Sequence, residues 1–578
     1  MTYTGVLQIL ITLAAMIIAA VPLSKYLAHV FKCETTFLDG IVNPAESLTL
    51  KFLKVNGNEE TDWIKYLKTG IIVNFFMLAM VYLILRFQNF LPFNQMHYPG
   101  IPWALDFNTA ISFITNTNWQ NYSGEEALSN FSQMSLVFLQ FTSAATGLVF
   151  AVAFIRGLVR REAKYVGNFY ADFIKAIYRL FLPLAIIFAV VMLWQGVPQT
   201  FVMQKKVTNM TGVKQTLSMG PVASMVSIEN LGTNGGGFYG ANAAQPYENP
   251  NPFTNALTVF MMGTIPIALF LMYGIMIGNK KHAWTLFAVA MTLFAICLAT
   301  VYSQEAHGNQ FLAKLGANIS VSKNNPGGNM EGKLEHIGIA QTSLFAASTT
   351  AFTTGNVDSA HDSFMPLSGM VLMAEMMLNL IFGGKGVGLL NMLTMVIIAV
   401  FIAGLMVGRT PEFLGKKIEA KEVKLATLVM FAHAFIILIP FAIALAIPAG
   451  LAGILNPGPH GLSEILYAYT SAVANNGSAF AGLNGDTLFY NISLGLAIFF
   501  GRYIPIICQV AIAGSLIKKK SIPESAGTFP AHGFLFYTVV MGTILLVGAL
   551  TFFPALALGP VAEHFAIAKG HLFYFNLK

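Results

Sequence analysis

Charge is what this chain has least of. Lys and Arg number 33 and Asp and Glu 26 among 578 residues, 10% together, against roughly 25% for a soluble domain. A soluble fold of this length needs far more polar surface, which excludes a soluble enzyme and a disordered scaffold. Cysteine is scarce too: Cys33, Cys297 and Cys508 stand too far apart for a disulfide or metal framework. The 11 histidines are dispersed, without HxxxH or HExxH, and read as interfacial or loop residues. Neither DKTG nor GxxxxGK(S/T) occurs. The net charge of +7 is spread over short loops and reports orientation, not nucleic acid.

What the chain does have is apolar length. Hydrophobic types make up 55%, Phe alone supplies 48 residues, and mean hydropathy is +0.64. The 27 methionines sit largely in apolar runs as flexible filler and do not argue for a soft-metal site. Runs able to cross ~30 Å of hydrocarbon, about 20 residues each, fall at 5–24, 65–87, 131–155, 173–194, 253–278, 283–303, 366–408, 425–455, 486–512 and 533–556. Run 366–408 is too long for one straight span. It breaks at Gly383-Gly384-Lys385-Gly386-Val387-Gly388 and counts as one interrupted helix, giving ten spans, or eleven if the break divides it. Run 5–24 has no basic residue ahead of it and no clear cleavage site after it, so it reads as a retained anchor.

Basic residues alternate between loops. Segments 25–68, 156–179, 280–281, 409–424 and 518–520 hold 22 Lys and Arg, against 8 in 88–130, 195–252, 304–365, 456–484 and 556–578. Basic loops stay cytoplasmic, so both termini are expected outside. Arg156, Arg160, Arg161, Lys164, Lys416, Lys417, Lys421 and Lys424 are expected to anchor helix ends to anionic lipid.

Each of four outer segments holds a short apolar stretch that ends in a Gly/Asn/Thr cluster. Phe107 to Ile114 runs into TNTN, Ser218 to Leu231 into GTNGGG, Ile339 to Phe352 into TTGN, and Leu462 to Ala474 into NNGS. Thr117, Gly235, Gly355 and Gly477 are separated by 118, 120 and 122 residues. Such regular spacing predicts four diverged repeats of span, re-entrant pore helix, loop and span. Each stretch is too short to cross the membrane, and non-helical backbone at that depth must face protein or water. A ring of backbone carbonyls replaces the hydration shell of a monovalent cation, and glycine lets successive carbonyls turn inward. A divalent ion would call for several carboxylates, and only Asp358 lies at a cluster edge. The pattern predicts an all-α polytopic membrane protein whose four loops surround a filter for K⁺, with Na⁺ the second choice. Gly/Asn-rich loops that are only turns are the bland alternative for any single cluster.

The sequence resembles the potassium-binding A subunits of Kdp potassium-transporting P-type ATPases, distant members of a superfamily of K⁺ transporters. TNTNWQNYSGE at 115–125, ENLGTNGGGFYGANAAQPYENPNP at 229–252 and FTTGNVDSAHDSFMPLSG at 352–369 carry the likeness. GRTPEFLGKKIEAKE at 408–422, ANNGSAFAGL at 474–483 and GRYIPI at 501–506 extend it over the whole chain. The resemblance implies an extra first helix before four repeats. The division is 1–60 (first helix and cytoplasmic loop), 61–160, 161–280, 281–410 and 411–515 (repeats one to four), and 516–578 (last helix and outer tail). It implies an outer K⁺ filter from Asn116, Thr117 and Asn118; Thr233, Asn234, Gly235 and Gly236; Ser348, Thr353, Thr354 and Gly355; and Asn475, Asn476, Gly477 and Ser478. Thr117 then stands where the other quadrants carry glycine. The resemblance further implies no ATP hydrolysis in this chain and no metal but K⁺ as cargo. The implied partners are a catalytic P-type ATPase protein (the B subunit), a single-span C subunit and a small single-span F subunit, in a bacterial cytoplasmic membrane. Ions would leave the filter sideways toward the catalytic partner. A stand-alone K⁺ channel or cation-coupled transporter is the runner-up, and an assembly protein without an ion site the third reading.

Three features inside the membrane call for roles. Arg502 is costly in hydrocarbon and is expected to face the interior, either as a charge below the filter that discourages leak or as a structural partner. The break with Gly383, Gly384, Lys385, Gly386 and Gly388 is expected to be a gate and exit wall, or else a packed kink. Glu375 is expected to draw K⁺ to the exit or to pair with Lys385. The resemblance implies a carboxylate at the position of Asn379, from which this chain departs, so Glu375 would act from one turn away.

Overall fold

The computed structural model describes residues 1–322, 325–406, 408, 410–520 and 529–570. The outer tail from 571 and Arg409, counted above among the cytoplasmic basic residues, lie outside them. Ten helices among the described residues are long and apolar enough to cross a membrane. They are Tyr3–Phe31, Trp63–Arg86, Asn130–Val159, Phe169–Trp194, Pro252–Met276, Lys280–Lys314, Val387–Met406, Ala420–Ala446, Leu488–Leu516 and Phe534–Ala568. The helix of 29 residues at the start is ~43 Å long at ~1.5 Å per residue, ample for the ~30 Å hydrocarbon layer.

Local chemistry sets where spans begin. Asp62, Ser129, Asn168, Asn251, Asn279 and Thr487 each accept a hydrogen bond from a backbone N–H of the following first turn. These caps satisfy donors that hydrocarbon could not. The interrupted run resolves into Pro366–Leu378 and Val387–Met406, with irregular backbone between.

Burial sorts the helices. Over their most apolar stretches Asn130–Val159 and Pro252–Met276 are 83% buried, whereas Tyr3–Phe31 and Phe534–Ala568 are 17% and 22% buried. The former line the centre; the latter present their sides to lipid. One short helix lies within each of the four stretches read as repeats: Trp103–Ile114, Val222–Leu231, Gly338–Ala351 and Pro459–Ala474. The second is shorter than its apolar pattern suggests: Ser218 ends the strand Lys214–Ser218, which pairs antiparallel with Gln204–Thr208 in a hairpin, and the helix starts only after Pro221.

Two basic residues expected at the lipid surface are instead structural. Arg156 is buried and forks onto Asp172, which also accepts from the Tyr66 hydroxyl. Lys416 is fully buried and donates to the carbonyls of Gly157, Arg160 and Leu516, gathering the ends of Asn130–Val159 and Leu488–Leu516. Charge periodicity alone does not separate a paired cation from a solvated one. Arg161, Lys164, Lys421 and Lys424 are not buried.

His460 also departs from its reading as an ordinary loop histidine. At the start of the fourth short helix it bridges Asp362 at 2.9 Å and Glu563 at 2.8 Å, tying that helix to the third repeat and to the last helix. Burial alone would depress its imidazole, but the hydrogen bonds to Asp362 and Glu563 hold it up at about 10. A raised folded-state value means the tie contributes fully below the ordinary imidazole value, about 6.5, and is lost as pH rises through about 10. His460→Gln should cost roughly 1–3 kcal/mol at pH 7. It should also flatten the alkaline loss of thermal stability that the wild type shows as pH rises from neutral through about 10. Equal alkaline profiles in a melting experiment would refute this.

Candidate functional site

The four short helices end in the same way. In each, a residue takes the left-handed conformation: Asn116 at φ 72°, Thr233 at 45°, Thr353 at 46° and Asn475 at 56°. Its N–H donates three residues back, to the carbonyls of Phe113, Asn230, Thr350 and Ala472. The next N–H donates five residues back: Thr117 to Ser112 at 2.9 Å, Asn234 to Glu229 at 2.8 Å, Thr354 to Thr349 at 2.8 Å and Asn476 to Ser471 at 2.9 Å. This paired bonding is the Schellman ending, here repeated four times. It turns the chain away from the helix axis after the last helical carbonyl is satisfied.

That register corrects the alignment of the first quadrant. Thr117 corresponds to Asn234, Thr354 and Asn476, and it is Asn118 that stands opposite Gly235, Gly355 and Gly477. Asn118 itself has φ 54°, a conformation asparagine tolerates better than most residues.

The loops then meet. A methyl group on Gly477 would lie 2.0 Å from the Thr117 carbonyl oxygen, and one on Gly355 would lie 2.0 Å from that of Asn476. Gly235 faces both oxygens, at 2.4 and 2.7 Å from where its Cβ would be. Backbone therefore packs against backbone at a common axis, with no room for side chains.

Asparagines close the ring between neighbours. Asn116 Nδ2 donates to the Thr233 carbonyl at 2.7 Å, and Asn356 Nδ2 to Asn230 Oδ1 at 3.2 Å. Asn476 Nδ2 donates to the Thr349 carbonyl at 2.7 Å, and Asn475 Nδ2 to Thr117 Oγ1 at 3.0 Å. These ties join first to second, third to second, fourth to third and fourth to first. Ser143, from Asn130–Val159, adds a support by donating to Asn116 Oδ1 and accepting from Asn234 Nδ2.

Hydroxyls hold the loops to their own helices. Thr349 Oγ1 accepts from Gly355 N at 2.9 Å, Ser471 Oγ from Gly477 N at 3.1 Å, and Ser112 Oγ from Trp119 N. The sequence reading missed Ser112 and Ser471, and took in Thr349 only as part of the stretch from Ser348 to Gly355, not as a clamp. Their only signal was a hydroxyl residue five positions before the loop. Ser348, expected in the filter, sits one turn up the third helix, where its carbonyl accepts from Phe352 N. Ser478 donates its N–H to Asn476 Oδ1 and braces the fourth loop.

The mouth of a cavity at one end of this axis is lined by Asn118, Gln120, Gly236, Asn242, Gly355, Gly477 and Ser478, all uncharged. On the other side lies the helix break. Gly383 N donates to the Ala351 carbonyl and Lys385 N to Thr233 Oγ1. A methyl on Gly384 would come within 2.6 Å of Thr353 Oγ1. The break thus abuts the two β-branched residues held at positive φ, a strained conformation that surrounding structure must maintain.

Gly386 at φ 81° packs on the Gly147 carbonyl, and Gly383 on Gly388. Lys385 Nζ reaches the Met262 carbonyl at 3.4 Å. Glu375 is not its partner: it accepts from Thr350 Oγ1, behind the third short helix. Asn379 Nδ2 donates to the Ala474 carbonyl, beside the fourth loop.

A cavity opens here. Asn379, Asn391, Thr394, His433, Asn475 and Arg502 line it, and Val547, Gly548, Thr551 and Phe552 of the last span close its far side. Of the residues expected on the exit path, Asn379 and Arg502 face this cavity, while Glu375 does not line it.

The arrangement is a cage of neutral oxygens at membrane depth, suited to a dehydrated monovalent cation. Gly355→Ala or Gly477→Ala should push a facing carbonyl out of line and weaken cation binding by about tenfold or more. Cation-dependent thermal shift of the folded variants is the check. Unchanged shifts would mean the axis is not a binding site.

Comparison with known proteins places the whole chain in a family. The family model described as potassium-transporting ATPase A subunit matches residues 10–565. A potassium-transporting ATPase potassium-binding subunit from Alicyclobacillus acidocaldarius is 51% identical over 565 residues, covering 97% of this chain and 99% of the relative. A protein of the same description from Geobacillus kaustophilus is 48% identical, covering 96% of this chain and 97% of the relative. In fold, the chain is similar to the potassium transporter TrkH from Vibrio parahaemolyticus. The TM-score is 0.51 at 15% identity, over 88% of this chain and 98% of that one. On the family match and on these near full-length identities, the chain belongs to the family of potassium-transporting ATPase A subunits.

Proposed function

We propose that this chain binds K⁺ at the four-loop axis and passes it on as the ion-translocating component of an ATP-driven uptake complex. The contact of the Thr117 and Asn476 carbonyls with the facing glycines carries this reading, because it makes one cage from four distant segments. K⁺ sheds water at the outer mouth and is held by the backbone of Asn116, Thr117 and Asn118, of Thr233, Asn234, Gly235 and Gly236, of Thr353, Thr354 and Gly355, and of Asn475, Asn476, Gly477 and Ser478. Divalent ions are disfavoured because the loops offer dipoles in place of charges.

Below the cage, the break from Gly383 to Gly388 is the gate. Its backbone rests on Thr233 and Thr353, so a shift there both opens the path and relaxes those residues. Arg502 faces the cavity beneath and opposes accumulation of cations, which limits passive leak. The cavity runs sideways from Asn475 to the last span, in favour of lateral exit.

ATP then acts on the catalytic P-type partner, the B subunit, with the single-span C and F subunits completing the assembly. The seat is a bacterial cytoplasmic membrane with both termini outside, in line with the excess of Lys and Arg in alternate loops.

Purified complex should hydrolyse ATP faster when K⁺ is added. The chain alone in liposomes should carry little K⁺ flux; rapid flux without ATP would favour a stand-alone channel. Replacing Gly384 and Gly386 together by Ala should lower transport by about tenfold or more in a fully assembled complex. Normal turnover would eliminate the break as a gate. Arg502→Gln should raise passive K⁺ leak, measured as radioactive Rb⁺ flux without ATP, and unchanged leak would assign Arg502 a packing role.

A further inference from the structure

The four quadrants share one backbone and differ behind it. The residue whose carbonyl closes the Schellman ending is Ser112, Glu229, Thr349 or Ser471. In three quadrants its hydroxyl also accepts a loop N–H. In the second it is Glu229, fully buried, with neither carboxyl oxygen hydrogen-bonded.

A second carboxyl stands on the same side. Glu248 is buried and accepts from Tyr239 N at 2.8 Å, while its other oxygen has no partner. A methyl on Gly237 would lie 2.9 Å from both Glu248 oxygens. The last glycine of GTNGGG thus makes room for this carboxyl. Among the described residues, no cation pairs with Glu229 or Glu248 in an ion pair.

Buried carboxylates without a countercharge are costly. On the filter reading, a cation bound at the four-loop axis supplies the positive charge that these carboxyls otherwise lack. We propose that Glu229, supported by Glu248, sets cation affinity by countercharging the ion in the filter from behind the second loop.

The second loop is also the one not clamped to its helix by a hydroxyl. It carries three consecutive glycines, with Gly236 at φ 76°, and is braced from neighbouring segments instead: Asn234 Nδ2 donates to Ser143 Oγ and Gly237 N to Gln120 Oε1. An ion drawn to Glu229 seats this loop against it, so the loop grips the ion that fits and yields to one that does not. Glu229 therefore acts through the loop, without touching the ion itself.

The inference rests on the filter reading, and its test separates the two. In the assembled complex, Glu229→Gln keeps the size of the side chain and removes the charge. It should raise the K⁺ concentration for half-maximal ATP hydrolysis by about tenfold, with maximal rate within about twofold. Glu229→Asp should stay near the wild type. Glu229→Ser supplies the hydroxyl of the other quadrants without the charge. It should show the same affinity loss and a changed K⁺ to Rb⁺ ratio of half-saturation.

Gly235→Ala is the control for the filter. If it perturbs half-saturation while Glu229→Gln does not, the filter stands and this proposal falls. If neither moves it, the filter reading fails as well. Loss of assembly in both Glu229→Gln and Glu229→Asp assigns Glu229 to folding and also overturns the proposal.

Discussion

Backbone contact between the loops is the constraint on which the structure depends. Four segments more than a hundred residues apart must bring carbonyls and α-carbons together with no side chain between them. Hydrocarbon tolerates such irregular backbone only inside protein. The ten spans, the inward packing of Asn130–Val159 and Pro252–Met276, and the asparagine ties between loops all serve to keep that axis enclosed. An oxygen cage is selective only when its geometry is held, and here each loop is held at its root by two backbone bonds.

Strain at the axis joins the cage to what lies below it. Asparagine enters the left-handed region readily, and Asn116 and Asn475 do so at small cost. Thr233 and Thr353 carry a branch at Cβ, for which the same conformation is expensive. Both costly residues touch the helix break, through Lys385 N and Gly384. The second and third quadrants are therefore mechanically linked to the break, while the first and fourth are tied to each other by Asn475 and Thr117.

Much of this was legible in the sequence, because membrane burial leaves coarse signals. Apolar runs of about 20 residues mark spans, and the breaks near Thr117, Gly235, Gly355 and Gly477 mark the loops. The interrupted helix was visible in its four glycines. The register of the quadrants was not, because glycine is the obvious marker and asparagine takes at Asn118 the positive φ that Gly355 and Gly477 take in theirs. Arg156 and Lys416 mislead because a cation buried against Asp172 or three carbonyls has the same local sequence as one at the lipid surface. The second short helix reads too long because Lys214–Ser218 is paired with a partner strand that lies before it in the chain. Ser112, Thr349 and Ser471 stay hidden because hydroxyl residues are common in such helices and only contact reveals a clamp.

A ring built from one polypeptide is free to be uneven, and the lateral discharge we propose draws on that freedom. A homotetramer must repeat every feature in each quadrant. Here the third repeat has its inner helix broken, between Pro366–Leu378 and Val387–Met406, while the corresponding helices Asn130–Val159, Pro252–Met276 and Leu488–Leu516 run on as single elements. Below that break the cavity reaches the last span, a helix outside the four repeats. A symmetric cage has no reason to empty sideways, since each wall would be equal to the next. With one wall interrupted and a glycine, Gly548, lining the cavity from the last span, the lateral exit we propose opens on that side. In the function we propose, the asymmetry that costs the ring its perfect order also separates selection, which needs four similar loops, from release, which needs one weak wall.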